Sequence, residues 1–192
     1  MTAAATTSTQ TPLGRLTALP NWVWSIVALA VIALLQFLLA GETFTGYLGD
    51  PDDAARLVQV REFIAGSPWY DPTTSRLGGQ AGLLSHWSRL IDLPIAAIIT
   101  LVSAFSTVAT GELVARAVWP LIVLAPLLFV IQRTATARAG DTAGYIALAL
   151  AVLLPLGLSK FSLGRIDHHN VMITASVSAA LLMWAYPASR KV

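Results

Sequence analysis

Five long apolar runs, separated by polar segments, make up the pattern of the chain. The first, Trp22–Ala40, contains no charged residue and is long enough to cross a bilayer. The others cover 93–109, 117–132, 142–158 and 171–186. Prolines interrupt several of them, which transmembrane helices tolerate. The pattern predicts an all-α integral membrane protein.

A secretory signal is the alternative interpretation of the first run. The run is longer than the apolar region of a signal peptide, and Leu38-Leu39-Ala40 is a poor cleavage site. An uncleaved membrane anchor is therefore the favoured prediction. The polar segment before it, 1–21, is predicted to be a disordered cytoplasmic N-terminus.

Composition agrees with a membrane protein. The 192 residues are 56% hydrophobic and only 11% charged, with a mean hydropathy of +0.69. The net charge of +2 is small and the cations are scattered, so no nucleic-acid surface is predicted. The absence of cysteine excludes disulfides, thiolate zinc sites and thiol catalysis.

Positive residues predict the orientation of the chain, because cytoplasmic loops are enriched in Lys and Arg. Arg15, the loop 133–138 and the pair Arg190-Lys191 would all be cytoplasmic, which requires an even number of crossings between them. The weakest run, Leu93–Ala109, is therefore predicted to be an interfacial or re-entrant helix. Four spans remain, at about 22–40, 115–132, 142–159 and 171–187.

This topology places two polar segments, 41–114 and 160–170, on the external side. They contain all three histidines, and seven of the ten acids lie between Glu42 and Asp92. Asp50, Asp52 and Asp53 directly precede good helix formers. They are explained either as helix caps or, since three acids exceed one cap, as a site for a hard metal ion.

The second external segment contains the motif GRIDHHN, 164–170. One interpretation is a polar loop in which Asp167 or Asn170 caps the next helix. The functional interpretation is a divalent-metal site, since carboxylate and imidazole suit Mn²⁺, with Arg165 suited to a phosphate. One loop offers too few ligands, so 49–53 is its predicted partner. In the stretch 85–94, Trp87 and Arg89 also suit a membrane-anchoring belt.

These features resemble the start of a GT-C membrane glycosyltransferase. The resemblance is carried by the membrane anchor, by Asp52-Asp53 leading into a helix that ends in Arg61-Glu62, by the His/Arg–Pro stretch 86–94, and by GRIDHHN. It is strongest for the catalytic subunit of oligosaccharyltransferase. DPDDAAR also resembles the protein O-mannosyltransferase and aminoarabinose transferase families.

The resemblance implies a polyprenyl-phosphate-linked sugar donor, a bacterial inner-membrane location and a divalent cofactor, Mn²⁺ or Mg²⁺. It implies catalytic roles for Asp52, Asp53 and Asp167. It implies metal ligands among Asp50, Asp53, Asp167, His168 and His169. The implied contacts with the donor phosphate are Arg165, Arg89 and His86.

The chain also departs from the family. His169 occupies a position where the family has a second acid or amide, and the later external loops and soluble domain do not appear within the sequence. Residues 22–192 are therefore expected to form a GT-C-like module that is incomplete at its C-terminus. One alternative is a non-catalytic membrane subunit or remnant. The other is an ion-coupled transporter, and the nearly uncharged spans disfavour it.

Overall fold

The computed structural model describes residues 19–39, 48, 50–79, 82–154 and 159–186. Within them the chain is mostly helical, as the all-α prediction requires. The α-helices are α1 (Asn21–Leu39), α2 (Pro51–Ile64), α3 (Arg89–Ser103), α4 (Val108–Ala139), α5 (Asp141–Leu153) and α6 (His169–Ala185). A short 3₁₀ turn covers Ser159–Phe161, and β1 (Thr73–Thr74) pairs antiparallel with β2 (Leu83–Leu84).

Two helices are long and apolar enough to cross a membrane. They are α1, with 19 residues, and α4, with 32 residues. The predicted spans 142–159 and 171–187 correspond to α5 and α6, which are shorter apolar helices of 13 and 17 residues. The four-span topology therefore stays a prediction.

The remaining boundaries differ from the predicted ones in informative ways. The predicted interfacial segment Leu93–Ala109 is not one element, because α3 ends at Ser103 and α4 begins at Val108. Most of the predicted disordered segment 1–21 lies outside the described residues, and its last residue, Asn21, begins α1.

Helix α4 is the centre of the bundle and packs against α1, α3, α5 and α6. It runs unbroken through Pro120 and Pro126, and its Leu124 and Leu128 lie in the core. At Gly111 the backbone of α3 approaches so closely that an added Cβ would lie 2.7 Å from the carbonyl oxygen of Ile99. Glycine is therefore needed where α3 and α4 cross.

The outward faces of the bundle remain apolar. Large exposed hydrophobic side chains cover α1, α4 and α6, among them Phe37, Ile122 and Met183. Apolar surface of this extent is unusual for a soluble monomer and fits contact with lipid. The prediction that 41–114 and 160–170 are external concerns the polar end of the bundle, where α2 begins.

Candidate functional site

The first acidic motif forms the N-terminus of α2. Asp50 is the N-cap residue, and its side chain accepts a hydrogen bond from the backbone N–H of Asp52 at 3.0 Å. Pro51 occupies the first turn, where its missing N–H has no cost, and Asp52 and Asp53 complement the helix dipole. The capping interpretation thus holds for Asp50, while two further acids remain to be explained.

The second motif is tied to α4 and α6. Gly164 has a φ of 97° and donates its N–H to the carbonyl oxygen of Arg116 at 2.8 Å. Asp167 accepts the N–H of His169, the first residue of α6, at 2.9 Å. The Asn170 side chain donates to the carbonyl oxygen of Arg165 at 3.2 Å. These bonds define the shape of the loop.

The two motifs meet at Asp53. Its Oδ1 accepts the backbone N–H of Ile166 at 2.7 Å and that of Asp167 at 2.9 Å, across more than a hundred residues of sequence. The Asp53 side chain is almost fully buried. The structure therefore brings the 50–53 acids and the GRIDHHN loop into one cluster.

Arg165 lies between three carboxylates of this cluster. Its Nη1 is 2.7 Å from Asp50 Oδ2 and 2.9 Å from Asp53 Oδ2, and its Nη2 is 3.0 Å from Asp167 Oδ2. Burial raises the pKa of Asp53, against the opposing effect of the Ile166 N–H and of Arg165. The pKa of Asp50 is lowered, first by the Asp52 N–H and then by Arg165.

Asp52 belongs to a second grouping, with Asp167 and His169. One potential ligand atom from each lies within 4.8 Å of the others. The His169 Nδ1 is 3.0 Å from Asp167 Oδ2, and both Asp52 and His169 are partly exposed. Asp50, Asp53 and Asp167 meet the same distance criterion, but Arg165 already contacts all three. Two carboxylates and an imidazole are suitable ligands for Mn²⁺.

A column of stacked groups supports the histidines. The buried guanidinium of Arg56 lies 4.6 Å from the centre of the Trp87 ring. Trp87 lies 5.5 Å from His168, which stacks on His169 at 4.4 Å. Burial, followed by the charges of His169 and Arg56, lowers the pKa of His168, so its neutral form is favoured. Trp87 is therefore a packing partner of this site, in addition to the membrane-anchoring role that the sequence predicts for it.

The remaining predicted site residues lie in different surroundings. His86 is exposed, with its ring 6.5 Å from that of His168, so the three histidines lie near one another. Arg89 is only 4% exposed. Its guanidinium donates to Asp92 at 3.2 Å and to the carbonyl oxygen of Asp71 at 3.0 Å. Arg89 is thus already held inside the protein, apart from the Arg165 cluster.

A buried polar network under the site was missed by sequence reasoning. Asp92 is fully buried and accepts hydrogen bonds from Arg56 at 2.6 Å and from Gln59 at 2.8 Å. Arg89 is its third partner. The available signal was spacing, because Arg56 and Gln59 on α2, and Arg89 and Asp92 on α3, are each three positions apart and share a helix face.

Comparisons of the chain with protein-family models, with curated proteins and with solved structures find no match.

Proposed function

We propose that this chain is a membrane glycosyltransferase module that takes a sugar from a polyprenyl-phosphate-linked donor at the outer face of the membrane. The observation that carries the proposal is the pair of hydrogen bonds from the Ile166 and Asp167 amides to Asp53. They join two acidic motifs, from opposite ends of the chain, at one end of a bundle with apolar outer faces.

This placement suits a donor whose lipid lies in the bilayer. When the sugar leaves, negative charge develops on the phosphate oxygens, and preorganised cationic groups stabilise it. Arg165 is the suitable group, because its side chain is 16% exposed and its three carboxylate contacts hold it in one position. The acceptor is activated by a carboxylate, for which Asp52, on the partly exposed side of the cluster, is the better placed residue.

A divalent ion fits the donor set of Asp52, Asp167 and His169. When bound, such an ion supplies further positive charge beside the leaving phosphate. Asp53 is a poorer ligand, since one of its oxygens accepts two backbone N–H groups and the other contacts Arg165. We therefore assign Asp53 to holding the loop and Arg165 in position.

The test of donor recognition uses farnesyl phosphate, a short form of the carrier, titrated into detergent-purified protein by calorimetry. We expect binding that requires the phosphate, with farnesol as the control ligand. Arg165→Gln should weaken binding at least ~10-fold, because hydrogen bonds to charged groups contribute about 1.5–3 kcal/mol. Arg165→Lys, which keeps the charge and its neutralising role, should weaken binding less.

Arg61→Gln is the matched control, because Arg61 lies on α2 but pairs with Glu112 outside the cluster. Equal affinity of the wild type, Arg165→Gln and Arg61→Gln for farnesyl phosphate would contradict the proposed phosphate site. Equal affinity for farnesol and farnesyl phosphate would contradict it as well.

The metal site gives a separate prediction. Calorimetry with Mn²⁺ should show one site, and both Asp52→Asn and His169→Ala should weaken binding by at least ~10-fold, the scale seen when groups around a metal are removed. Asp71→Asn, an exposed acid outside the cluster, should bind like the wild type. Unchanged affinity in both cluster variants would remove the assignment.

A non-catalytic membrane subunit is the second candidate function. It is favoured because each of three acids has a structural role. Asp50 caps α2, Asp167 accepts the first N–H of α6, and Asp53 accepts two backbone N–H groups of the loop. Under this alternative the cluster stabilises the fold and binds neither donor nor metal.

A further inference from the structure

A cavity lies at the end of α4 that is remote from the acidic cluster. Its volume is about 530 Å³, and it is bounded by Trp22 of α1, by Phe129, Gln132 and Arg133 of α4, and by Tyr186, which directly follows α6. Arg116, at the acidic cluster, and Arg133 are separated by about 25 Å along α4, at 1.5 Å per residue. This cavity, called the Arg133 groove below, is thus remote from the proposed donor site.

The Arg133 groove combines a cation with apolar and aromatic walls. Arg133 is exposed and, within the described part of the chain, has no carboxylate partner. Asp141 is not part of the groove's lining, and it accepts a hydrogen bond from the lining residue Asn21 at 2.7 Å. Arg133 is the one charged side chain among the described lining residues, and it is open to an anion.

A buried polar group provides an independent sign of a ligand. Gln132 is 1% exposed, and its Oε1 accepts a short hydrogen bond from Ser25. Its Nε2, however, is buried and makes no hydrogen bond to any described residue. A buried donor without an acceptor is costly, and Gln132 is one of the residues that line the groove, so an acceptor bound there would satisfy this donor once the amide turns toward it.

The walls indicate that the acceptor is part of a lipid. Trp22 and Tyr186 are each about half exposed, as expected of aromatic side chains at a membrane interface. Beyond Phe129 the exposed surface of α4 continues with Ile122, and that of α1 with Ile26, so an acyl chain would find an apolar track along the helices. A free phosphate would not use these surfaces.

We propose that the Arg133 groove binds one anionic glycerophospholipid, with its phosphate at Arg133 and Gln132 and its acyl chain along Phe129. The positive charge of Arg133 favours an anionic over a zwitterionic headgroup. This inference is independent of the proposed glycosyl transfer, since the groove contains none of the residues of the acidic cluster.

Native mass spectrometry of the detergent-purified protein tests the proposal with an equimolar mixture of phosphatidylglycerol and phosphatidylcholine of equal chain length. The wild type should retain one phosphatidylglycerol in at least ~10-fold preference, the scale of a charge-assisted hydrogen bond. Arg133→Gln should bring the ratio close to one. Arg138→Gln is the matched control, because Arg138 contacts Trp184 outside the groove, and it should change the ratio at most ~5-fold, the general effect of one surface cation.

Ala137→Trp tests the cavity itself, because Ala137 is an exposed residue on its wall and both arginines remain. This variant should also lose the preference. Equal loss in Arg133→Gln and Arg138→Gln, or full preference in Ala137→Trp, would overturn the proposal. Displacement of the lipid by an equal concentration of glycerol 3-phosphate would identify a free-phosphate site. A dimer that forms in the wild type and is lost in Ala137→Trp would identify a second copy of the chain as the occupant. Either result overturns the proposal.

Discussion

Replacing Asp92 by alanine is expected to lower the free energy of unfolding by about 3–5 kcal/mol, the range seen when one partner of a buried ion pair is removed. Asp92 is fully buried and contacts two buried guanidinium groups, those of Arg56 and Arg89. Without its carboxylate, both charges would remain away from water with no counter-charge from this position. Loss of the Asp92 carboxylate should also disturb the candidate functional site, because Arg56 supports the Trp87 ring beside His168.

Equilibrium unfolding in mixed micelles measures this effect. Asp71→Ala is the control, since Asp71 is an exposed acid on the same side of the bundle, and its side chain accepts local hydrogen bonds from Thr73. Its loss should cost less than about 1 kcal/mol, as for most surface substitutions. If the two variants lost equal stability, the Asp92 network would not have the structural importance assigned to it.

The second large effect concerns chemistry. We expect Asp167→Asn to lower the rate of sugar release from a polyprenyl-phosphate donor by about 10²-fold or more, the scale for one charge-stabilising group. An asparagine oxygen can still accept the N–H of His169, but it provides no negative charge for a metal ion or for Arg165. Asp53→Asn should lower the rate by a similar factor, because Arg165 then loses one of its three anchors.

Rates measured per amount of folded protein separate this prediction from the non-catalytic alternative. Asparagine can accept the backbone N–H groups that Asp53 and Asp167 hold, so both variants should insert, but each removes a buried carboxylate from Arg165 and should lower the stability. Glu62→Gln is the control, since Glu62 lies on α2 but bonds Ser75 away from the cluster. Rates equal to that of Glu62→Gln in both variants would leave the acids as structural residues.

Local features were within the reach of sequence reasoning. The uncharged run 22–40 predicted α1, and it ends within one residue of the observed helix. The acid, proline and helix-former order of 50–56 predicted the N-terminus of α2, because capping depends on residues only a few positions apart. The shorter apolar runs predicted that α5 and α6 exist but not where they end. Hydrophobicity varies slowly along the chain, whereas a helix ends where its backbone N–H and C=O groups lose their hydrogen-bond partners within the helix.

Residue patterns were enough to predict a helical, apolar chain with its acids and histidines concentrated in two polar segments. The packing of the helices sets how those groups share partners. It placed Asp53 under the loop amides, Asp52 beside His169, and Arg89 in the interior with Asp92. Neighbouring carboxylates look alike in sequence, but their roles depend on which donors the packed helices bring within 3 Å, and those donors lie far away along the chain.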